Sequence, residues 1–271
     1  MIRTVKALRY VTPLREGGSL PAIVEADDDG TYVLKFRGAG QGQRALIAEL
    51  VAGEIGRALG LPVPEIVFVE LDPVLGRSEP DAEIKELIEA SPGRNLGLDY
   101  LPGSLDYSPL LAPPPDPELA ARIVWFDAYT TNVDRTARNT NMLLWHKRLY
   151  LIDHGASLTF HHAWTSPTRP YDPGDHVLAG CHADVEAADA ALAPRVDEDL
   201  IGAALDVVPD DFWTDPDDPA ESRHRYVEAL LERLDIRADW LAALRRTVAE
   251  GGRERVLPKF RLRGMLFGGS S

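Results

Sequence analysis

The chain has 271 residues, 45% of them hydrophobic, which is enough to bury the core of one large or two modest domains. Its formal charge of −14 and pI near 4.9 exclude a broad basic face for nucleic acid or an anionic membrane. A single cysteine, Cys181, excludes an internal disulfide and suits a reducing compartment. The opening MIRTVKALRY has no long apolar run or small-residue cleavage site, so a cytoplasmic chain without membrane insertion is expected.

Thr4 to Val11 mixes β-branched and apolar residues and reads as a strand, followed by a turn at Arg15-Glu16-Gly17-Gly18-Ser19. Leu20 to Ala26 is a second apolar run that ends at Asp27-Asp28-Asp29-Gly30, a strong hairpin signal. In Thr31-Tyr32-Val33-Leu34-Lys35-Phe36 the alternation places Tyr32, Leu34 and Phe36 on one face and Val33 and Lys35 on the other. Lys35 is then either a solvated strand lysine or an ammonium held for phosphate. The next element bears on that choice. Arg44 to Leu59 has helical spacing, stops at Gly60, and carries Glu49 and Glu54 as possible partners for Lys35.

Gly38-Ala39-Gly40-Gln41-Gly42 has the spacing GxGxG, which departs from the GxGxxG of a dinucleotide fold. It also follows two hairpin-linked strands, so an antiparallel sheet is expected. Glu65 to Leu71 reads as a strand, Asp81 to Ala90 as a short charged helix, and Leu96 to Leu101 as an apolar run stopped by Pro102-Gly103. The stretch to Pro117 is too Pro-rich for a regular element. It divides the chain into residues 1–103, mainly strands with one long helix, a linker at 104–117, and a mainly helical part at 118–271.

Glu118 to Tyr129 reads as an amphipathic helix that buries Ala120, Ile123, Val124 and Phe126. Thr130 to Thr140 has no apolar period and carries Asn132, Asp134, Arg135, Arg138 and Asn139. Two apolar runs about a polar turn at His146-Lys147-Arg148 then form a hairpin whose end delivers Asp153. Asp134, Asn139 and Asp153 have the order of a phosphoryl-transfer site in which one Asp orients the nucleophile while Asn and the other Asp hold magnesium. Beyond it, His161, His162, His176, Cys181 and His182 match no common zinc spacing. Residues 183–208, 219–234 and 238–250 read as three helices, and the tail RERVLPKFRLR as a docking strand, a mobile arm or a solvated end.

Leu34-Lys35-Phe36, Glu49 with Leu59-Gly60-Leu61-Pro62-Val63-Pro64, Asp134-Arg135-Thr136-Ala137-Arg138-Asn139 and Leu151-Ile152-Asp153-His154-Gly155 together resemble the HipA-like kinases over residues 4–160. A more distant similarity is to type II phosphatidylinositol kinases. The resemblance implies an α+β, bilobal protein-kinase-like fold that binds ATP between an antiparallel-sheet lobe and a mainly helical lobe. It implies that Lys35 contacts phosphates, Glu49 pairs with Lys35, Asp134 is the catalytic base, and Asn139 and Asp153 bind magnesium. Tyr100 and Leu101 would lie near adenine, and Gly17, Gly18 and Ser19 would cover the phosphates. Asp153-His154-Gly155 stands where ordinary protein kinases have Asp-Phe-Gly, and no His-Arg-Asp precedes the loop. The implied activity is transfer of the γ-phosphoryl of ATP to a hydroxyl acceptor, protein Ser or Thr first. Alternatives are a phosphoinositide or small-molecule acceptor, a non-catalytic nucleotide-binding module, and a dinucleotide enzyme built on Gly38 to Gly42.

Overall fold

Alternating burial along Thr31–Lys35 (β3) sets the inside of the first sheet: Tyr32 and Leu34 are buried, with Phe36 just beyond them. The computed structural model describes residues 2–14, 20–77, 79–164, 170–213 and 218–250. Ala22–Ala26 (β2) reaches β3 through a tight turn in which Asp29 takes φ 61° and Asp28 accepts a hydrogen bond from the Gly30 N–H. Thr4–Pro13 (β1), Ile66–Leu71 (β4) and Gly93–Asp99 (β5) complete a closed barrel of order β1-β2-β3-β5-β4.

The antiparallel sheet expected from the sequence holds for four of the five strand pairs, and β1 with β4 is the exception, since Thr4 to Lys6 pair in parallel with Phe68 to Glu70. Closure removes the two edges that an open sheet would leave unpaired, and the long stretch between β1 and β4 supplies the crossover that a parallel pair requires. Val5, Val24, Tyr32, Leu34 and Val69 fill the interior together with Ile84 and Ile88 of Ala82–Glu89 (α2). Gly97 permits this closeness: a Cβ there would lie 2.6 Å from Val69 Cγ2. β5 starts three residues before the expected apolar run, since the buried Asn95 satisfies its own polarity. It accepts from the Arg37 N–H at 2.8 Å and donates to the Ser91 and Gly93 carbonyls.

Gly42–Ala58 (α1) buries Leu46, Ile47, Leu50, Val51 and Ile55 and ends at Gly60, whose φ is +80°. Its core is continuous with the second half of the chain and separate from the barrel interior. Gly56 lets the helix approach Phe126 closely, since a methyl group at that position would lie 3.2 Å from the ring.

The Pro-rich stretch was expected to hold no regular element, yet Leu105–Asp106 (β6) pairs with Met142–Trp145 (β7). Two residues are too few to leave a period in the sequence. β7 pairs with Arg148–Leu151 (β8) across a two-residue turn, His146-Lys147, with positive φ at both positions.

Pro117–Tyr129 (α3) begins with Asp116 capping the Glu118 and Leu119 N–H groups and Pro117 in the first turn. It is not amphipathic as expected. From Ala120 to Tyr129 every residue but Arg122 is buried, because α1 and the later helices surround it. Those helices are Val185–Leu192 (α4), Glu198–Asp206 (α5), Pro219–Asp235 (α6) and Arg237–Glu250 (α7). The single helix expected over 183–208 is therefore two. Pro194 ends the first in a 3₁₀ turn, and Asp197 caps the second by accepting from the Leu200 N–H at 2.8 Å. Among the described residues no helix is long and apolar enough to cross a membrane. The tail RERVLPKFRLR lies outside the described residues.

Candidate active site

Three elements bring Lys35, Glu49 and Asp153 together. Lys35 ends β3, Glu49 faces inward from α1, and Asp153 follows β8 in the left-handed region at φ 57°. Lys35 Nζ donates to Glu49 Oε2 at 2.5 Å and to Asp153 Oδ1 at 2.6 Å. The Glu49 side chain is fully buried, Lys35 is 12% exposed and Asp153 43%. Burial opposes charge on both members of the inner pair. For Lys35 the attraction of Asp153 and Glu49 outweighs burial and raises its pKa. For Glu49 burial pushes upward, but the Lys35 ammonium and His154 hold the carboxyl down at about 2.

Glu54 takes no part in this cluster and lies 3.3 Å from Arg57 one turn along α1. His154, beside Asp153, is fully buried. Its ring packs edge-on against Phe126, and Nδ1 lies 3.8 Å from Glu49 Oε1.

The second group sits on the loop between α3 and β7. Asp134 Oδ2 accepts from Asn139 Nδ2 at 2.7 Å and from Asn141 Nδ2 at 3.1 Å. Burial raises the Asp134 pKa and the nearby charge of Asp153 adds to the rise, against the two asparagine bonds and Arg135. Thr136 and Asn139 close a turn on each other, the Thr136 N–H reaching the Asn139 carbonyl at 2.9 Å and Thr136 Oγ1 accepting from the Asn139 N–H at 3.2 Å. The Ile152 N–H donates to the Asn141 carbonyl at 3.0 Å, so this loop and the strand that leads to Asp153 are joined directly.

Tyr100 and Leu101 follow β5. The Tyr100 N–H donates to the Thr31 carbonyl at 3.0 Å, and the buried Leu101 accepts from Ser104 at 3.1 Å. Gly17, Gly18 and Ser19 lie outside the described residues. Two of the four histidines considered for zinc have other partners: His161 Nδ1 is 2.7 Å from the Tyr226 hydroxyl and His176 Nε2 is 2.9 Å from Asp127. Among the described residues no three of His, Cys, Asp and Glu gather as a metal cluster.

Sequence reasoning passed over Asn141, and it marked His154 only as the residue in place of the phenylalanine of Asp-Phe-Gly, without a role. Asn141 stands two positions beyond Asn139 on the same polar loop, and His154 adjoins Asp153, so position was the available signal in both cases. Buried Asp127 and His176, beneath the loop, gave less: one is an acid inside an apolar helix, the other a histidine in a segment without a period.

A family model described as HipA-like kinase matches residues 8–241. The chain belongs to the HipA-like kinase family. Its activity class is accordingly that of a kinase, a phosphotransferase. Among solved structures, this HipA-like kinase is similar to the proinflammatory kinase CtkA of Helicobacter pylori, at 15% identity and a TM-score of 0.48, over 85% of this chain and 94% of that one. It is also similar to the Golgi casein kinase, at 14% identity and a TM-score of 0.46, over 93% and 76% of the two chains. A second structure of the Golgi casein kinase, with Mn/ADP bound, aligns at 13% identity and a TM-score of 0.39, over 93% and 75%. No curated protein sequence matches the chain.

Proposed function

We propose that this HipA-like kinase transfers the γ-phosphoryl of ATP, with magnesium, to a hydroxyl, first of all that of a protein Ser or Thr. The observation that carries this is Lys35 held at 2.5 and 2.6 Å between Glu49 and Asp153, beside a loop that presents Asp134 and Asn139. One ammonium between two carboxylates leaves an excess negative charge on the half-exposed Asp153. That excess suits a hard divalent cation, which prefers oxygen donors. Asn139 uses its amide nitrogen on Asp134, so its side-chain oxygen is the donor left for such an ion. Magnesium held by Asp153 and Asn139 would neutralise charge on the phosphates.

The remaining work falls to residues of this chain. Lys35 binds phosphate oxygens. Asp134 orients the acceptor hydroxyl. The acceptor oxygen forms a bond to the γ-phosphorus, the bond from that phosphorus to the β–γ bridging oxygen breaks, and ADP leaves. The acceptor proton passes to Asp134, whose raised pKa makes it a better proton acceptor than an ordinary aspartate. Positioning and charge dominate such a reaction.

In this reading residues 1–103 and 118–271 are two lobes joined by 104–117, and adenine lies near Tyr100 and Leu101. Placement in the cytoplasm belongs to the same proposal. The charge of −14 favours a protein acceptor over an anionic lipid surface.

The test is a thermal shift with ATP and magnesium, compared with NAD, for the wild type and Asp153→Asn. A magnesium-dependent rise with ATP alone, lost in the variant, is expected. No response to ATP, or a response that the substitution leaves intact, refutes the assignment.

A further inference from the structure

The carboxylate of Asp127 plays no part in the chemistry above, and its burial is unfavourable unless donors surround it. It lies fully buried in the last turn of α3, where the helix carbonyls add negative charge. Three donors converge on it. Asn132 Nδ2 reaches Oδ1 at 3.0 Å, and Oδ2 accepts from Arg135 Nε at 2.6 Å and His176 Nε2 at 2.9 Å. Burial would raise the carboxyl, but Arg135 and His176 hold it down at about 2.

Each donor then reaches toward the site. Asn132 Oδ1 accepts from the Asp134 N–H at 3.1 Å. Arg135, also fully buried, donates through Nη1 to the Asn141 carbonyl at 2.5 Å and the Ile152 carbonyl at 3.4 Å, one residue before Asp153. His176 belongs to the segment that follows the site, where it pairs with Thr136 in an isolated bridge. Its Nδ1 accepts from the Leu178 N–H at 3.1 Å, so the proton donated to Asp127 sits on Nε2 and the ring is held in one orientation. Tyr171 and Val177 bond the same loop, at the Asn132 and Arg135 carbonyls.

We propose that Asp127 is a positioning residue for phosphoryl transfer, fixing Asp134 and Asp153 relative to each other, and that His176 ties this arrangement to the segment carrying Tyr171 and Val177. The proposal rests on the kinase reading. A single buried carboxylate acts on both halves of the site, through Asn132 on one and Arg135 on the other. Asparagine at this position keeps one oxygen to accept from Arg135 and His176 but sets an NH2 against Asn132 Nδ2, donor against donor, and the loop shifts. A displacement on the order of 1 Å in such a site lowers the rate about 100-fold.

The experiment uses the full chain and measures magnesium-dependent ADP release from ATP, with water and the protein's own hydroxyls as acceptors, together with the melting temperature. For Asp127→Asn the expected result is a kcat lower by about 100-fold, with the KM for ATP and the ATP-induced thermal shift within about 3-fold of wild type. His176→Ala lowers kcat as well, and His176→Gln, whose amide can donate to Asp127, recovers most of it. A merely structural role would lower the melting temperature without separating kcat from KM. Wild-type kcat in Asp127→Asn, or His176→Gln no better than His176→Ala, overturns the proposal and leaves the kinase reading standing. If Asp127→Asn does not fold, the two His176 variants decide. Absence of magnesium-dependent ADP release by the wild type overturns the kinase reading, and the positioning role with it.

Discussion

Replacing Glu49 with glutamine keeps the size of the side chain and removes its charge. In the native protein that charge sits fully buried, 2.5 Å from Lys35. The carboxyl is held down from its ordinary 4.5 to about 2, and at about 1.4 kcal/mol per pH unit this corresponds to about 3 kcal/mol of stability at neutral pH. The raised pKa of Lys35 is the same attraction seen from its partner and is not added. Breaking a buried pair by removing one member costs about 3–5 kcal/mol, and the lower end applies because Lys35 keeps Asp153 at 2.6 Å. The sign follows from a depressed carboxylate. Its contribution is complete above about pH 4.5 and is lost as the pH falls toward about 2. Urea unfolding followed by tryptophan fluorescence at several pH values should therefore show Glu49→Gln about 3 kcal/mol less stable than wild type at pH 7. That gap should shrink steadily below about pH 4.5. A gap under about 1 kcal/mol at pH 7, or one that does not change with pH, would refute the assignment of a stabilising buried carboxylate.

Asp134→Ala should keep the magnesium-dependent thermal shift with ATP while lowering transfer by about 10²- to 10⁴-fold, the range for loss of a general base; single-turnover measurement of ADP formation checks it, and unaltered turnover removes Asp134 from that role. Arg195→Ala should cost about 1–2 kcal/mol in urea unfolding, because its guanidinium donates to the Leu59 and Ala58 carbonyls, at 3.0 and 2.7 Å, at the negative end of α1. Unchanged stability would show that Arg122, which also donates to the Leu59 carbonyl, suffices as the cap.

The parts of the site legible in the sequence are those that local pattern encodes. Alternation in β3 separates Lys35 from Tyr32 and Leu34, and apolar runs about a short turn mark the hairpin that ends before Asp153. The choice between Glu49 and Glu54 was open, although the period of α1 contained it. Five residues on a helix are about 500°, so the two acids point about 140° apart. Glu49 shares its face with Leu46, Ala52 and Gly53, all buried, whereas Glu54 lies toward Arg57. A buried acid is visible in such a pattern once the face, rather than the residue type, is followed. Pro194 and Asp197 likewise mark the break between α4 and α5 by ordinary stop and start signals. The parallel pairing of β1 with β4 and the bond from Asp127 to His176 are of another kind. Each joins residues far apart in the chain, and nothing local in either segment depends on the partner.

The two contacts of Lys35 differ in how readily they can be exchanged. Glu49 is enclosed on α1, and α1 is fixed to the second half of the chain through a shared core and through Arg122 and Arg195 at its last carbonyls. Moving Glu49 away would strand a buried charge and disrupt that packing. Asp153 is 43% exposed at the end of a strand, so water or an incoming ion can replace what it loses. On the proposed mechanism, nucleotide entry therefore exchanges the Lys35–Asp153 contact and leaves Lys35–Glu49 in place. The ammonium is then already oriented by the enclosed carboxylate while the exposed one turns to the cation. The exposed carboxylate is followed directly by the fully buried His154, which packs edge-on against Phe126 with Nδ1 3.8 Å from Glu49.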